Sequence, residues 1–527
     1  MVRAVNSVIA RWERLPKSIR FALCVCVVHF VILVILFQAH EVWRDEARAL
    51  NIVLESGSPL ALLRNLHNEG HPALWYLLLY VAHGIFQTKA VLAVLSLLIA
   101  EAAVFVFVAY APFPRWQRVL FAFSHSPLYE YSIVCRNYGL AMLLAFVICV
   151  LYPRRFARPI AFFAAVALFA NTTALCAVFA TGITVLWLLE YVHLSLARGR
   201  ESPAPERRQV VGVALAVVGI VASVLVFRAD AETTCFHTAQ YLSLKTAFAA
   251  LVQHLSSPGA QLKDLFLLTG PLPVEIAIWG LTVYFVLRNP FIGLLFYGSV
   301  LVADLFAILL YPPEVRHKAL LYLMTVVCLW LAAQQPARAR PRWVSAVENQ
   351  LAPLLAGLIP LMFAISVGHG WLALKYDHNT RLSGSKWLAQ LIESQPRFKD
   401  AIVIGEPELR IEGLSYYVDN PIYQVREKRF SAKVSFSRLA TGDVTLDSLV
   451  ATSRELRAQH HRPVMLVLGP VLSPWGPFDF LHTTVKHFSY DPLQYERFRA
   501  ATSWVGRMRN NVHQVFEPEE FDVYVLR

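Results

Sequence analysis

Asp45, Glu46 and Arg48 fall together just past the first long apolar run, and Glu69 and His71 follow in the same polar stretch before the next one. Arg136 and then Arg316, His317 and Lys318 occupy two further short polar breaks between apolar runs. A carboxylate so placed can accept a proton from an attacking hydroxyl, and arginine's planar fork of N–H donors matches the oxygens of a phosphate. Ionisable groups beside a bilayer are costly to hold unless they are paired or used, so chemistry is expected here. Plainer roles exist for each: Asp45 as ion partner of Arg48 or as an interfacial cap, Glu46 assisting Asp45 or facing water, the arginines as interfacial anchors. Glu69, His71 and His317 together could complete a divalent metal site, although they come from separate loops without fixed spacing.

The elements that must hold these residues are hydrophobic helices. Of 527 residues, 57% are hydrophobic and only 16% charged, and the mean hydropathy is +0.49; this excludes a water-soluble globule. Apolar stretches recur from residue 21 to about 370, with about eleven spans read at 21–39, 89–111, 118–131, 138–152, 159–171, 173–190, 209–227, 272–287, 290–310, 318–334 and 351–370. Arg3, Arg11, Arg14, Lys17 and Arg20 place the N-terminus in the cytoplasm, and the basic loops around Arg115, Arg154, Arg198, Arg207, Arg288 and Arg340 then fall inside as well. Loops 40–88, 131–138, 228–271 and 311–318, with the tail from 371, lie on the outer side. Arg136, Arg316 and Lys318 break the positive-inside rule there, which points to an anionic ligand. The net charge of +12 is accounted for by cytoplasmic loops facing anionic lipid, so nucleic acid is not an expected partner. Seven cysteines form no CxxC pair; Cys135, Cys176 and Cys235 lie near the outer face, where pairing is open. The basic flank and uncleaved apolar run at the start read as a retained anchor.

In the first outer loop, a short interfacial helix is expected around Asp45, Arg48 and Ile52, with Leu50, Val53 and Leu54 on the lipid side. Ser58-Pro59 reads as a helix N-cap followed by Pro at the first helical position, opening a second helix through Leu66. Pro72 opens a third, residues 73–80, expected to lie flat on the outer leaflet. Beyond about 376 the pattern changes: Ser385 opens a helix, 401–405, 464–469 and 521–526 read as strands, and 446–459 as a helix. The chain is therefore read as a polytopic α-helical membrane protein, residues 1–370, with a C-terminal α/β soluble domain, 371–527.

Asp45-Glu46-Ala47-Arg48 at the outer end of the first span, then Glu69-Gly70-His71-Pro72 and an aromatic, leucine-rich helix, resembles the GT-C membrane glycosyltransferases. The nearest branch is the bacterial one grouped with protein O-mannosyltransferases and lipid A aminoarabinose transferases (family 39-like). The likeness extends, more weakly, to Tyr131-Ser132-Ile133-Val134-Cys135-Arg136-Asn137-Tyr138, Ala170-Asn171-Thr172-Thr173 and Val315-Arg316-His317. It covers the membrane part only, and where the aminoarabinose branch has a lysine after the glutamate this chain has Gly70 and His71. The resemblance implies inverting transfer of a sugar from a polyprenyl-phosphate donor to a cell-envelope acceptor at the outer face of the bacterial inner membrane. Asp45, with Glu46, would act in catalysis, Asp45 as base. Arg48, Glu69, His71, Arg136, Tyr138, Arg316, His317 and Lys318 would contact donor and phosphate, and Glu69 with His71 a divalent metal ion. Displacing a phosphate from an anomeric carbon needs one base and cationic help for the leaving group, not a second acid. Two other functions remain compatible with the sequence: a transporter or flippase of a lipid-linked sugar, using the mid-span acids Glu101 and Asp304, and a non-catalytic envelope-assembly subunit.

Overall fold

The structure, a computed structural model, describes residues 13–198, 206–227, 243–258, 262, 271–309, 314–335, 342–380, 383–437, 440, 442–483, 486–509 and 519–527. Cys235, Arg200, Arg338, Arg340 and much of the expected loop 228–271 lie outside the described residues.

Helices form where apolar runs are free of proline and glycine clusters, and seven of those described are long and apolar enough to cross a membrane. They differ in what surrounds them. In Lys17–Ala39 only 22% of the apolar window is buried by protein, whereas in Val315–Ala333 the share is 78%. The first is thus a rim helix with side chains such as Val27 and Ile35 left for lipid, and the second is the centre of the bundle. Around it packs an aromatic core in which Phe107 meets Phe121, Phe146 and Trp330 at centroid distances of 4.1, 5.0 and 5.7 Å.

The reading of 118–131 as one span is not met. Helix Arg115–Ala122 stops after 8 residues, and the chain continues through a wide turn, Ser126–Glu130, into irregular backbone. Pro127 favours the break, because it has no N–H to give the Phe123 carbonyl four residues earlier and its ring crowds that carbonyl. Such backbone is tolerated deep in a membrane protein only when protein satisfies it. Here Tyr131 N–H reaches Ser126 O at 2.8 Å, and Ser96 Oγ donates to Ser132 O at 2.9 Å. Tyr138–Leu151 and Pro159–Ala170 are also shorter than a full crossing, at 14 and 12 residues. The last helix of the bundle, Arg342–Asn379, runs past residue 370, where the sequence reading placed the domain boundary.

Beyond it lies a mixed four-stranded sheet in the spatial order Ile402–Glu406, Val464–Leu468, Phe521–Leu526, Thr502–Met508. The first pair is parallel and the other two antiparallel. Helices Ser385–Ser394 and Leu446–His460 contribute to the two hydrophobic clusters that involve this sheet. The domain also has a three-stranded sheet of Asp443–Thr445, Lys486–Ser489 and Asp479–Thr483 and a two-stranded antiparallel one of Tyr423–Gln424 and Arg429–Phe430.

That domain covers the first loop. Helix Arg44–Leu54 has Glu46 through Val53 buried, so Leu50 and Val53 do not face lipid as expected. The reason is tertiary: Asn51 Nδ2 donates to Glu412 O and Ala432 O, and Glu55 accepts from Ala432 N–H and Ser431 Oγ. Helix Pro59–Asn65 forms as its cap predicts, with Ser58 Oγ accepting from Ala61 N–H at 3.2 Å. The third helix is longer than expected, Leu74–Phe86, and buries Trp75, Tyr76 and Leu79 against the protein.

Candidate functional site

Helix Arg44–Leu54 starts where two acids, Asp45 and Glu46, occupy its first turn and favour its positive end. The turn points the two side chains apart. Asp45 faces a cavity of about 270 Å³, while Glu46 is fully buried and does not line it.

Three guanidiniums converge on Asp45. Arg136 Nη1 is 2.5 Å and Arg316 Nη2 3.2 Å from Oδ2, and Arg44 Nε donates to Oδ1 at 3.1 Å. Burial alone would raise the carboxyl's pKa, but Arg136, Arg44 and Arg316 outweigh it and hold Asp45 well below the ordinary carboxylate range. Arg136 arrives from the irregular segment after the broken helix. There Tyr131 stacks on Tyr138 at 5.5 Å, and a Cβ at Gly139 would collide with the Tyr131 carbonyl oxygen. Arg316 comes from the first turn of the central helix, whose placement is fixed by Tyr131 Oη donating to Arg316 O at 3.0 Å.

His71 Nε2 lies 3.0 Å from Arg136 Nη2, and Nδ1 3.5 Å from Asn137 Nδ2. Burial, then Arg136, His317 and Arg316, push its pKa well down, so this imidazole is neutral and accepts the arginine's N–H. His317 and Tyr138 line the same wall, their rings 6.2 Å apart edge to face. The Tyr138 hydroxyl is buried with no hydrogen-bond partner among the described residues.

Arg48 also borders the cavity, and four of its five N–H donors are engaged. Nε and Nη2 form a bidentate pair with Glu69 at 2.8 and 2.7 Å, Nη1 meets Glu412 at 2.5 Å, and Nη2 also reaches Val434 O at 2.9 Å. Phe436 covers its guanidinium at 4.2 Å. These bonds make Arg48 a strut between the first loop and the C-terminal domain at the edge of the cavity. Lys318 does not line the cavity.

Glu69 and His71 do not fit a divalent ion. Both Glu69 oxygens are taken by Arg48, His71 Nε2 is turned to Arg136, and the surroundings are cationic. Among the described residues, no group of three or more His, Cys, Asp or Glu is placed to hold a metal. Cys135 and Cys176 are free thiols. The mid-span acids are not isolated: Glu101 meets His29 Nδ1 at 2.7 Å and Asp304 meets His254 Nδ1 at 2.7 Å, both away from the cavity.

Of the cavity residues, Arg44, Tyr76, Glu314 and Phe436 were not singled out from sequence. Arg44 carried a signal, a third cation beside Asp45. Phe436 had none, because it comes from the C-terminal domain. The apolar side of the cavity is formed by Leu175, Phe306 and Leu320.

No family model matches the sequence, and no curated protein does. Among solved structures, the chain is similar to ArnT from Cupriavidus metallidurans, known in the apo state and bound to undecaprenyl phosphate. The identity is 13% over 95% of this chain and 97% of that one, with a TM-score of 0.47. It is also similar to the arabinofuranosyltransferase AftD from Mycobacteria, at 13% identity over 96% of this chain and 40% of that one, with a TM-score of 0.34.

Proposed function

We propose that this chain is a multi-pass membrane glycosyltransferase of the GT-C type. It moves a sugar from a polyprenyl-phosphate donor to a cell-envelope acceptor at the outer face of the bacterial inner membrane. The observation that carries the reading is the meeting of three guanidiniums on one ionised carboxylate at a cavity wall that also has an apolar side. The three guanidiniums outnumber the two cavity acids they meet, Asp45 and the Glu314 that pairs with Arg316 at 2.7 Å, which leaves a place for a further anion, and the apolar residues suit the lipid end of a polyprenyl phosphate. The lysine and arginine bias of the loops supports the outer-face orientation.

In the reaction, an acceptor hydroxyl oxygen bonds to the anomeric carbon from the side opposite the phosphate, so the centre inverts. The bond from that carbon to the phosphate oxygen breaks, and its electron pair leaves with polyprenyl phosphate. Arg136 and Arg316 stabilise the charge that develops there, an effect greater in the transition state than before it. The hydroxyl proton passes to Asp45. Without donor, the arginines suppress Asp45's basicity. A phosphate that takes over their N–H donors weakens that hold, so the acid becomes a better base as the donor arrives.

Mass spectrometry of envelope lipids and glycans tests this in cells that carry the wild-type chain or Asp45→Asn. The variant is expected to lose one sugar from an envelope acceptor and to accumulate a polyprenyl-phosphate-linked sugar. Unchanged acceptors in the Asp45→Asn cells would refute the reading.

A further inference from the structure

Just behind the cavity lies a set of buried charges that the transfer chemistry does not use. His40, Glu46 and Asp377 come from three elements: the residue after helix Lys17–Ala39, the first turn of Arg44–Leu54, and the end of Arg342–Asn379. His40 Nδ1 is 2.8 Å from Asp377 Oδ2, and Nε2 is 3.1 and 3.2 Å from the two oxygens of Glu46. An imidazole with a carboxylate at each nitrogen satisfies both only as the imidazolium, since the neutral ring has a single N–H. Burial opposes that charge, but Glu46 and Asp377 prevail and push the His40 pKa up to about 10.

Glu46 also binds backbone. Its Oε1 accepts the Cys135 N–H at 2.6 Å, and its Oε2 the Trp43 N–H at 3.1 Å. Cys135 directly precedes Arg136, and Glu46 directly follows Asp45. Two rungs therefore join the helix start to the irregular segment: Glu46 to the Cys135 N–H, and Asp45 to Arg136 Nη1 at 2.5 Å. The first rung holds backbone that no regular helix or strand holds.

We infer that Glu46, braced by His40 and Asp377, is a positioning residue that sets Arg136 for the phosphate of the lipid-linked substrate and ties its placement to helix Arg342–Asn379 and the domain beyond. This rests on the phosphate reading of the cavity. A group carried about 1 Å out of place can cost a hundredfold in rate, so a buried acid that never touches substrate can still govern the reaction.

The test uses the full chain in lipid nanodiscs, with undecaprenyl phosphate as probe, and reads lipid affinity together with hydrogen exchange over residues 131–138. Glu46→Ala is expected to weaken binding about tenfold and to speed exchange in that segment. Glu46→Gln keeps an acceptor for the Cys135 N–H and should stay within about threefold of wild type in affinity. His40→Gln strips the cation from between two buried acids and should weaken binding. Adding Asp377→Asn, which removes one of the stranded charges at a residue that does not line the cavity, should recover most of it. A merely structural triad would lower the melting temperature in all variants without this pattern in affinity. A folded Glu46→Ala protein with wild-type affinity and exchange would overturn the inference, as would a Glu46→Gln protein as weak as Glu46→Ala. A wild-type chain that fails to bind the lipid would end the phosphate reading and this inference with it; a binding wild type with an indifferent Glu46→Ala ends this inference alone.

Discussion

Asp45 at the cavity and Glu406 and Glu408 in the C-terminal domain are acids gathered around arginine, and the two regions balance their charges differently. In the domain, Glu406 takes both terminal nitrogens of Arg426 at 2.5 and 2.9 Å, Glu408 accepts the Arg426 backbone N–H at 2.8 Å, and Lys486 is buried close by. Two acids meet two cations there, and none of the four lines the cavity. Burial pushes the Glu408 carboxyl up to about 7, whereas three guanidiniums hold Asp45 down. A closed, balanced cluster serves the fold; an open one with cations to spare is equipped to receive an anion.

The comparison breaks most directly at Asp45. Asp45→Asn should cut sugar transfer by about a thousandfold or more, as loss of a general base does, while the protein stays folded with a somewhat lowered melting temperature, because three guanidiniums lose the carboxylate they share. Arg426→Ala should do the reverse, costing the C-terminal domain about 3–5 kcal/mol in denaturant unfolding because it leaves Glu406 buried without its partner. An Arg426→Ala domain of native stability would show that the two clusters are not of different kinds.

Arg136→Ala and Arg316→Ala come next, each expected to lower turnover about a hundredfold, beyond what weaker donor binding explains. The lysine variants should insert normally and keep partial activity, since they retain charge but lose the fork. Normal turnover by Arg316→Ala would make that arginine an anchor. Arg48→Ala sharpens the contrast from the other side: it should loosen the domain, seen as faster proteolysis between residues 412 and 434, since Arg48 holds Glu412 and Val434 O.

The smallest effect is a pH dependence. Burial also pushes Glu519 up to about 7, against the donors of Ser383, Arg44 and Ser385. For an acid whose folded pKa lies above its unfolded value near 4.3, the folded state holds the proton more tightly, so stability falls as pH rises through that window. Glu408 and Glu519 together should lower the domain's melting temperature between about pH 5 and 8, and Glu408→Gln/Glu519→Gln should flatten the slope. Asp45 has the opposite sign: its contribution is present above the ordinary carboxylate pKa and is lost only in strong acid.

Much of this molecule was legible in its residues. Apolar runs of bilayer length, the Ser58-Pro59 cap and the strand-and-helix alternation of the tail are local patterns, and local hydrogen bonding and hydrophobic periodicity suffice to form them. Asp45, Arg136, His71, Arg316, His317 and Tyr138 could be picked out because polar side chains beside apolar runs stand out by type alone, and all of them line one cavity. What composition could not say was which donors remain free there. Arg48 and Glu69 read as ligands, and only the fold shows that they pair with each other and that Glu412, more than 360 positions later, sits on the same guanidinium. Glu46 reads as a twin of Asp45 until the helix, turning about 100° per residue, sends it to His40 and Cys135. The break at Pro127, legible as a proline within an apolar run, becomes the segment that carries Arg136 only because surrounding helices satisfy its backbone. The sequence determined which residues could do chemistry; the tertiary structure decided which of them are spent on one another, because pairing depends on distance in space and charges far apart in the chain reach hydrogen-bonding range only once it has folded.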